Sequence, residues 1–495
     1  MSELHTLGAT QLLRAYMARQ LSPVEVMQAV LDQAARWEPQ LHAAYLLRPE
    51  AALEQARASE ARWQQRAPQG WLDGVPATIK DNIATAGDPT PLGTAATALA
   101  PAAADAPPAA RLREAGALLW SKTTMPDFGM LSSGLSSFHA TARNPWDLSK
   151  GPGGSSAGAG AAAAAGYGPL HVGTDIGGSI RLPASWCGIV GFKPSLGRIP
   201  IDPPYTGRCA GPMTRSVEDA ALMMMVLAQP DARDCMALPP QFIAWEQLDT
   251  GLERLRGLRF GLLLDAGCGL PVAPEVRQAI EQAATLLEKA GAIVEPMAPF
   301  LTRDMLDGMD HFWRMRSHMD LQALPAAQQD KVLPFIRQWA DSADGLTAAA
   351  LFAAQHQFFR TRQATVQACA AFDYVLSPVA PITAFDAQLA SPTNDPLRPL
   401  EHIAFTVPFN MSEQPSISVP CAQSTQGLPI GLQITGPRFD DLGVLQIARA
   451  FEQLRAPLPP YPSAPAALQR DMDMAQAAPQ TTAIAADPIP VPTAV

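Results

Sequence analysis

From Ala157 to Gly173 the sequence reads AGAGAAAAAGYGPLHVG, its longest nonpolar run. The run has the length of a membrane span, yet Ala and Gly dominate it and Pro169 and His171 interrupt it. It predicts a tightly packed interior helix leading into a strand. Glycine-rich polar loops flank it: GPGGSS (Gly151 to Ser156) before and DIGGSIR (Asp175 to Arg181) after.

The rest of the chain alternates helical and strand patterns. SPVE at Ser22 to Glu25 offers an N-cap serine, a proline at the first helical position and a glutamate closing a capping box. Val26, Met27, Val30, Leu31 and Ala34 then share one helical face, which reads as packing. From Gly74, short apolar runs such as GVPATIKDNI and GALLWSKTTMPDF read as strands delivering polar residues to loops. LRFGLLLD, PEVRQAIEQAATLLEKAG and AIVE form a strand, helix, strand unit from Leu258 to Glu295, which implies parallel pairing. YVLS, SISV and PIGLQIT add strands from the C-terminal part, the last followed by a helix through LGVLQIARAFEQL.

These patterns predict an α/β protein: a single large domain with a central twisted mixed β-sheet flanked by helices. Residues 1–70 are expected to be a helical segment packed on a core of residues 71–455. Within the core, 301–372 reads as a mostly helical insertion near the site. Residues 456–495 read as a Pro- and Ala-rich, poorly ordered tail.

A net charge of −10 without a basic cluster argues against nucleic acid as a direct partner and for a small organic substrate. The six cysteines are far apart, with no spacing that suggests zinc, and read as reduced, mostly buried thiols. The N-terminus carries Arg14 and Arg19 where a signal peptide would have its apolar core, so cytoplasmic residence, with no membrane association, is the expectation.

Three polar features stand in glycine-rich or apolar surroundings: Lys80 in ATIKDN, the pair Ser155 and Ser156, and Ser179 in DIGGSIR. A serine is a poor nucleophile until a base lies within hydrogen-bond reach. GSSAG, centred on Ser156, formally matches an α/β-hydrolase elbow, but the preceding TARNPWDLSKGPG is not a strand and no later histidine sits in a convincing loop. Lysine is the other candidate base, because burial disfavours the ammonium; the plainer reading of Lys80 alone is a surface pair with Asp81. Glycines around Ser179 allow the backbone N–H groups of Ile176, Gly177, Gly178 and Ser179 to point inward as an oxyanion hole. Asp175 and Arg181, charged and flanking a buried loop, are expected to pair with each other or with nearby backbone.

GGSSAGAGAAAAAGYGPLHVGTDIGGSIRLPASWCGIVGFKPSLGRIP, Gly153 to Pro200, resembles the Gly/Ser-rich signature of the amidase signature family. GVPATIKDN, SKTTMPDF, RNPWD, LSPVEV, QPSISVP and GLPIGLQITG also match, so the resemblance spans roughly residues 5 to 455. It implies a Ser-cisSer-Lys triad: Ser179 as nucleophile, Ser155 as the bridging serine after a cis peptide bond, and Lys80 as base. Ser156, Thr174, Asp175 and Arg181 would support them. It implies no metal and no organic cofactor, and homodimers are common in such enzymes. Ala157 departs from a frequent glycine and Trp186 from a smaller aromatic, without touching the triad.

The expected activity is amidase hydrolysis of small amides through an acyl-enzyme, with aryl esters or carbamates (a urethanase activity) open to the same route. Two alternatives stand beside it: one component of a glutamine-hydrolysing amidotransferase, or a catalytically silent binding scaffold. The tail, and the absence of an obvious docking motif in 301–372, favour a stand-alone enzyme.

Overall fold

Short strands spread from Ala44 to Thr435 assemble into one mixed sheet in the computed structural model, which describes residues 4–459, 461 and 462. In chain order they are β1 (Ala44–Tyr45), β2 (Pro76–Lys80), β3 (Leu118–Thr123), β4 (Leu170–Asp175), β5 (Val190–Lys193) and β6 (Cys209–Thr214). They continue with β7 (Arg259–Leu262), β8 (Ile293–Pro296), β9 (Tyr374–Pro378), β10 (Ser416–Gln423) and β11 (Pro429–Thr435). Across the 11-stranded sheet the order is β1, β3, β2, β4, β6, β5, β10, β11, β9, β7, β8.

β2 runs parallel to both β3 and β4, with Ile79 opposite Val172, so the C-terminal ends of β2 and β4 lie side by side. Both strands are buried along their whole length, as expected where helices cover both faces of a sheet. Lys80 and Asp175, their last residues, are thereby delivered to one end of the sheet. The unit read at Leu258 to Glu295 is present: β7, the Pro274–Lys289 helix, and β8 parallel to β7.

The alanine run forms the Ala157–Ala165 helix, every residue of which is buried. Its small side chains permit very close packing: a Cβ on Gly158 would lie 2.0 Å from the Ala43 carbonyl oxygen. Gly166, left-handed at φ 81°, ends the helix and turns the chain toward β4.

Within residues 1–70 the Pro23–Leu41 helix has the expected capping box, Val24 N–H donating to Ser22 Oγ and Ser22 N–H to Glu25 Oε2. This segment is not purely helical. The helix ends at a left-handed His42, and the chain then lays the two-residue β1 antiparallel against β3.

Residues 301–372 contain the Arg303–Gln322, Ala326–Gln329, Pro334–Asp341 and Ala348–Cys369 helices. The last helix of the described chain is Asp441–Leu454; of the expected tail, residue 460 and residues 463–495 lie outside the described residues. All six cysteines are free, but only Cys187, Cys209 and Cys369 are buried; Cys235 is exposed and Cys268 and Cys421 are partly so, because they fall in or beside loops and sheet ends. Among the described residues no helix is long and apolar enough to cross a membrane.

Candidate active site

β2 ends by burying a lysine completely. Lys80 donates from Nζ to Ser155 Oγ at 2.9 Å and to Thr174 Oγ1 at 3.0 Å. Burial brings its ammonium down to about 7; the negative charges of Asp175 and Asp81 oppose that fall, and the positive charge of Arg208 assists it. The surface pair with Asp81 does not form. Asp81 is itself buried, accepting from the N–H groups of Leu92 and Gly93 and facing His139 Nε2 at 2.9 Å.

Ser155 stands just before the alanine helix, and the Gly154–Ser155 peptide bond is cis. The next residue ties three segments together. Ser156 Oγ lies 3.2 Å from both the carbonyl oxygen and the nitrogen of Thr174, and Ser156 N–H donates to the Ser179 carbonyl. The loop holding Ser155 and the loop holding Ser179 are therefore joined directly, backbone to backbone, beside the ends of β2 and β4.

Asp175 organises the Ser179 loop. Its carboxylate accepts from Gly178 N–H at 2.8 Å, Ile180 N–H at 3.1 Å, Arg181 Nε at 3.0 Å and Nη2 at 2.9 Å, and Asn410 Nδ2 at 2.9 Å. Burial alone would push this carboxyl up, but the Arg181 guanidinium outweighs it and holds the group well below the usual carboxylate range. The loop needs glycine at Gly178, where φ is +125° and a Cβ would meet Thr406 Oγ1 at 2.6 Å.

This geometry corrects one expected assignment. Gly178 N–H is directed at the Asp175 carboxylate, a charged acceptor held in place by Arg181, so it is not free to face a substrate. Ile176, Gly177 and Ser179 remain as the loop's candidate donors. Arg181, fully buried, completes its contacts on Thr406, Gln433 and Asn410 and lies away from the cleft.

Ser179 and Ile176 are partly exposed while the rest of Asp175 to Arg181 is buried. They open onto a cleft whose walls include Met130, Gly177, Trp313 and Arg316. Trp186, by contrast, is fully buried and packs edge-on to Phe385, in keeping with a packing role. The structure thus brings Lys80, Ser155 and Thr174 into direct contact and sets Ser179 beside them.

Two further contributors are not singled out by the sequence reading. Asn82 donates to Thr174 Oγ1 at 3.1 Å, and Thr406 donates to the Gly177 carbonyl at 2.6 Å. Of the two, only Asn82 lies in a recognisable motif, as the last residue of GVPATIKDN, two after Lys80.

Comparison with known proteins bears on the family and the fold. The family model described as Amidase matches residues 25–445. A glutamyl-tRNA(Gln) amidotransferase component from Nostoc sp. is 33% identical over 468 residues, covering 88% of this chain and 95% of its own. The corresponding protein of Myxococcus xanthus is 34% identical, covering 91% and 98%. Among solved structures, a bacterial aryl acylamidase of the amidase signature family superimposes with a TM-score of 0.84 at 30% identity, covering 92% of this chain and 97% of its own. The peptide amidase of Stenotrophomonas maltophilia gives 0.79 at 27% identity, covering 92% and 98%. With its fold and most of its length matched in this way, the chain belongs to the amidase signature family.

Proposed function

We propose that this chain is a serine hydrolase that cleaves the carbon–nitrogen bond of small amides through an acyl-enzyme on Ser179. The observation that carries the reading is the buried contact of Lys80 with Ser155, since a lysine whose ammonium is destabilised to about 7 is a competent base at neutral pH.

In this scheme neutral Lys80 takes the proton of Ser155 as Ser155 takes that of Ser179. The Ser179 oxygen forms a bond to the substrate carbonyl carbon, and the carbonyl electron pair moves onto oxygen, facing the N–H groups of Ile176, Gly177 and Ser179. As the carbonyl re-forms, the C–N bond breaks and the proton returns through Ser155 to the leaving amine. Water then repeats the sequence at the ester, releasing the carboxylic acid and restoring Ser179. Aryl esters and carbamates present the same carbonyl to the same nucleophile and fall within the proposed range.

The names of the sequence relatives favour a second reading, one component of a glutamine-hydrolysing amidotransferase. Two measurements separate the readings and test the first. A fluorophosphonate probe should label Ser179 and fail on Ser179→Ala, and the isolated protein should hydrolyse members of a panel of anilides, aliphatic amides, primary amides and carbamates. Absence of any adduct in the folded protein would point to a silent scaffold. Glutaminase activity that arises only with a partner protein would favour the second reading.

A further inference from the structure

The cleft over Ser179 is walled by apolar groups, among them Met130, Ile176, Trp313 and Ile403, and has one charged lining residue, Arg316. Arg316 sits on the Arg303–Gln322 helix, three residues after Trp313, so both reach the cleft from one helical face.

Its guanidinium is weakly engaged. The carboxylate of Asp320 is 3.8 Å away on a largely exposed side chain, Nη2 points to the Met130 sulfur at 3.0 Å, and buried Nε has no hydrogen-bond partner. A second arginine adds to the charge. Arg208 and Arg316 both lie over the ring of Tyr205, at 5.8 Å and 5.1 Å from its centroid. Burial and the Arg316 charge hold Arg208 below its ordinary value. Two guanidiniums gathered on one aromatic ring, one of them lining an apolar cleft, suit an anionic oxygen pair.

We infer that Arg316 is a specificity residue that selects amides bearing a carboxylate remote from the scissile bond. The apolar walls would hold the intervening aliphatic or aromatic part, and Arg316 would receive the carboxylate, with Arg208 and Tyr205 behind it. The inference deepens the amide-hydrolase reading and rests on it for the position of the scissile bond, but its test does not need turnover.

Binding is measured by calorimetry to the full-length Ser179→Ala protein. The ligands are glutaric acid monoanilide, with the carboxylate on the acyl side, and 4-(pentanoylamino)benzoate, with it on the amine side. Pentananilide is the neutral reference. At least one carboxylated ligand should bind about tenfold or more tightly than the reference, the size expected of a charge-assisted pair. Adding Arg316→Gln should bring that ratio close to one. Equal binding of all three ligands to the Ser179→Ala protein overturns the inference, whether or not the double variant folds. A double variant that weakens charged and neutral ligands by the same factor also overturns it, since that is what a merely structural arginine would do. A protein that binds with the stated preference, while the parent chain takes no fluorophosphonate on Ser179 and turns over no member of the amide panel, keeps Arg316 as a carboxylate-binding residue and overturns the hydrolase reading.

Discussion

Arg181 closes on Asp175 through two contacts, Nε to Oδ2 at 3.0 Å and Nη2 to Oδ1 at 2.9 Å, with both side chains wholly removed from solvent. The pair spans the loop that carries Ser179, joining the end of β4 to the start of the Arg181–Cys187 helix. A buried pair of this kind gains little over an apolar replacement of both members, but losing one member strands the other charge. Arg181→Met is therefore expected to destabilise the protein by ~3–5 kcal/mol, read from urea unfolding. A loss below ~1 kcal/mol, within the range of an exposed pair, would show that the pair is not buried as described.

The partners of this arginine also mark where the sequence stops being legible. The Ser179 loop, β4 and the alanine helix are readable because glycine turns and apolar runs are local signals. Arg181, however, completes its shell on Thr406, Asn410 and Gln433, at separations of 225, 229 and 252 residues. Nothing in PFNMSE or PIGLQIT announces that. The Gly178 correction has a more local cause: its N–H turns back to the Asp175 carboxylate three residues earlier, which Arg181, six residues from Asp175, and the distant Asn410 hold in place. β1 escapes a reading of the sequence for a different reason, since two residues are too few to show alternation. Lys80 is legible only jointly: alone it reads as a surface pair with Asp81, and its contact with Ser155 joins residues 75 apart.

The lowered value of Lys80 fixes the sign of the pH dependence. Burial disfavours the ammonium, so the base is neutral above about 7 and protonated below it. With Lys80 as base, kcat/KM should rise with pH through about 7 and level off above it. On the acidic side it should fall by about tenfold for each pH unit. Lys80→Ala should lower the plateau ~10²–10⁴-fold with the circular dichroism spectrum unchanged. A flat profile from mildly acidic to alkaline pH, or a near-normal rate in the variant, would remove Lys80 from the relay.

Tight packing of the alanine helix makes a sharp prediction at Gly158. A methyl there would lie 2.0 Å from the Ala43 carbonyl oxygen and 2.4 Å from the Thr124 nitrogen, both backbone atoms that cannot rotate aside. Gly158→Ala must displace the start of the helix that follows Ser155, at a cost of ~1–3 kcal/mol or more, with loss of activity in proportion to the displacement. Gly151→Ala is the control, because its methyl would meet nothing closer than 3.8 Å. Thermal unfolding and activity of the two variants, compared side by side, check the prediction; equal behaviour would contradict it.

Ser155 and Ser156 are adjacent hydroxyls with different partners, and substitution should separate them. Ser155 Oγ meets Lys80 Nζ at 2.9 Å, whereas Ser156 Oγ meets the backbone of Thr174, at 3.2 Å to both its nitrogen and its oxygen. In the proposed relay Ser155 passes the proton between Lys80 and Ser179, so Ser155→Ala should lower kcat ~10²–10⁴-fold. Ser156→Ala removes a tether on the residue whose hydroxyl accepts from Lys80, and should cost ~1 kcal/mol of stability with a much smaller fall in kcat. Steady-state rates of both variants on one anilide decide the matter. If Ser156→Ala proves as damaging to kcat as Ser155→Ala while remaining folded, the bridging role belongs to the pair and not to Ser155 alone.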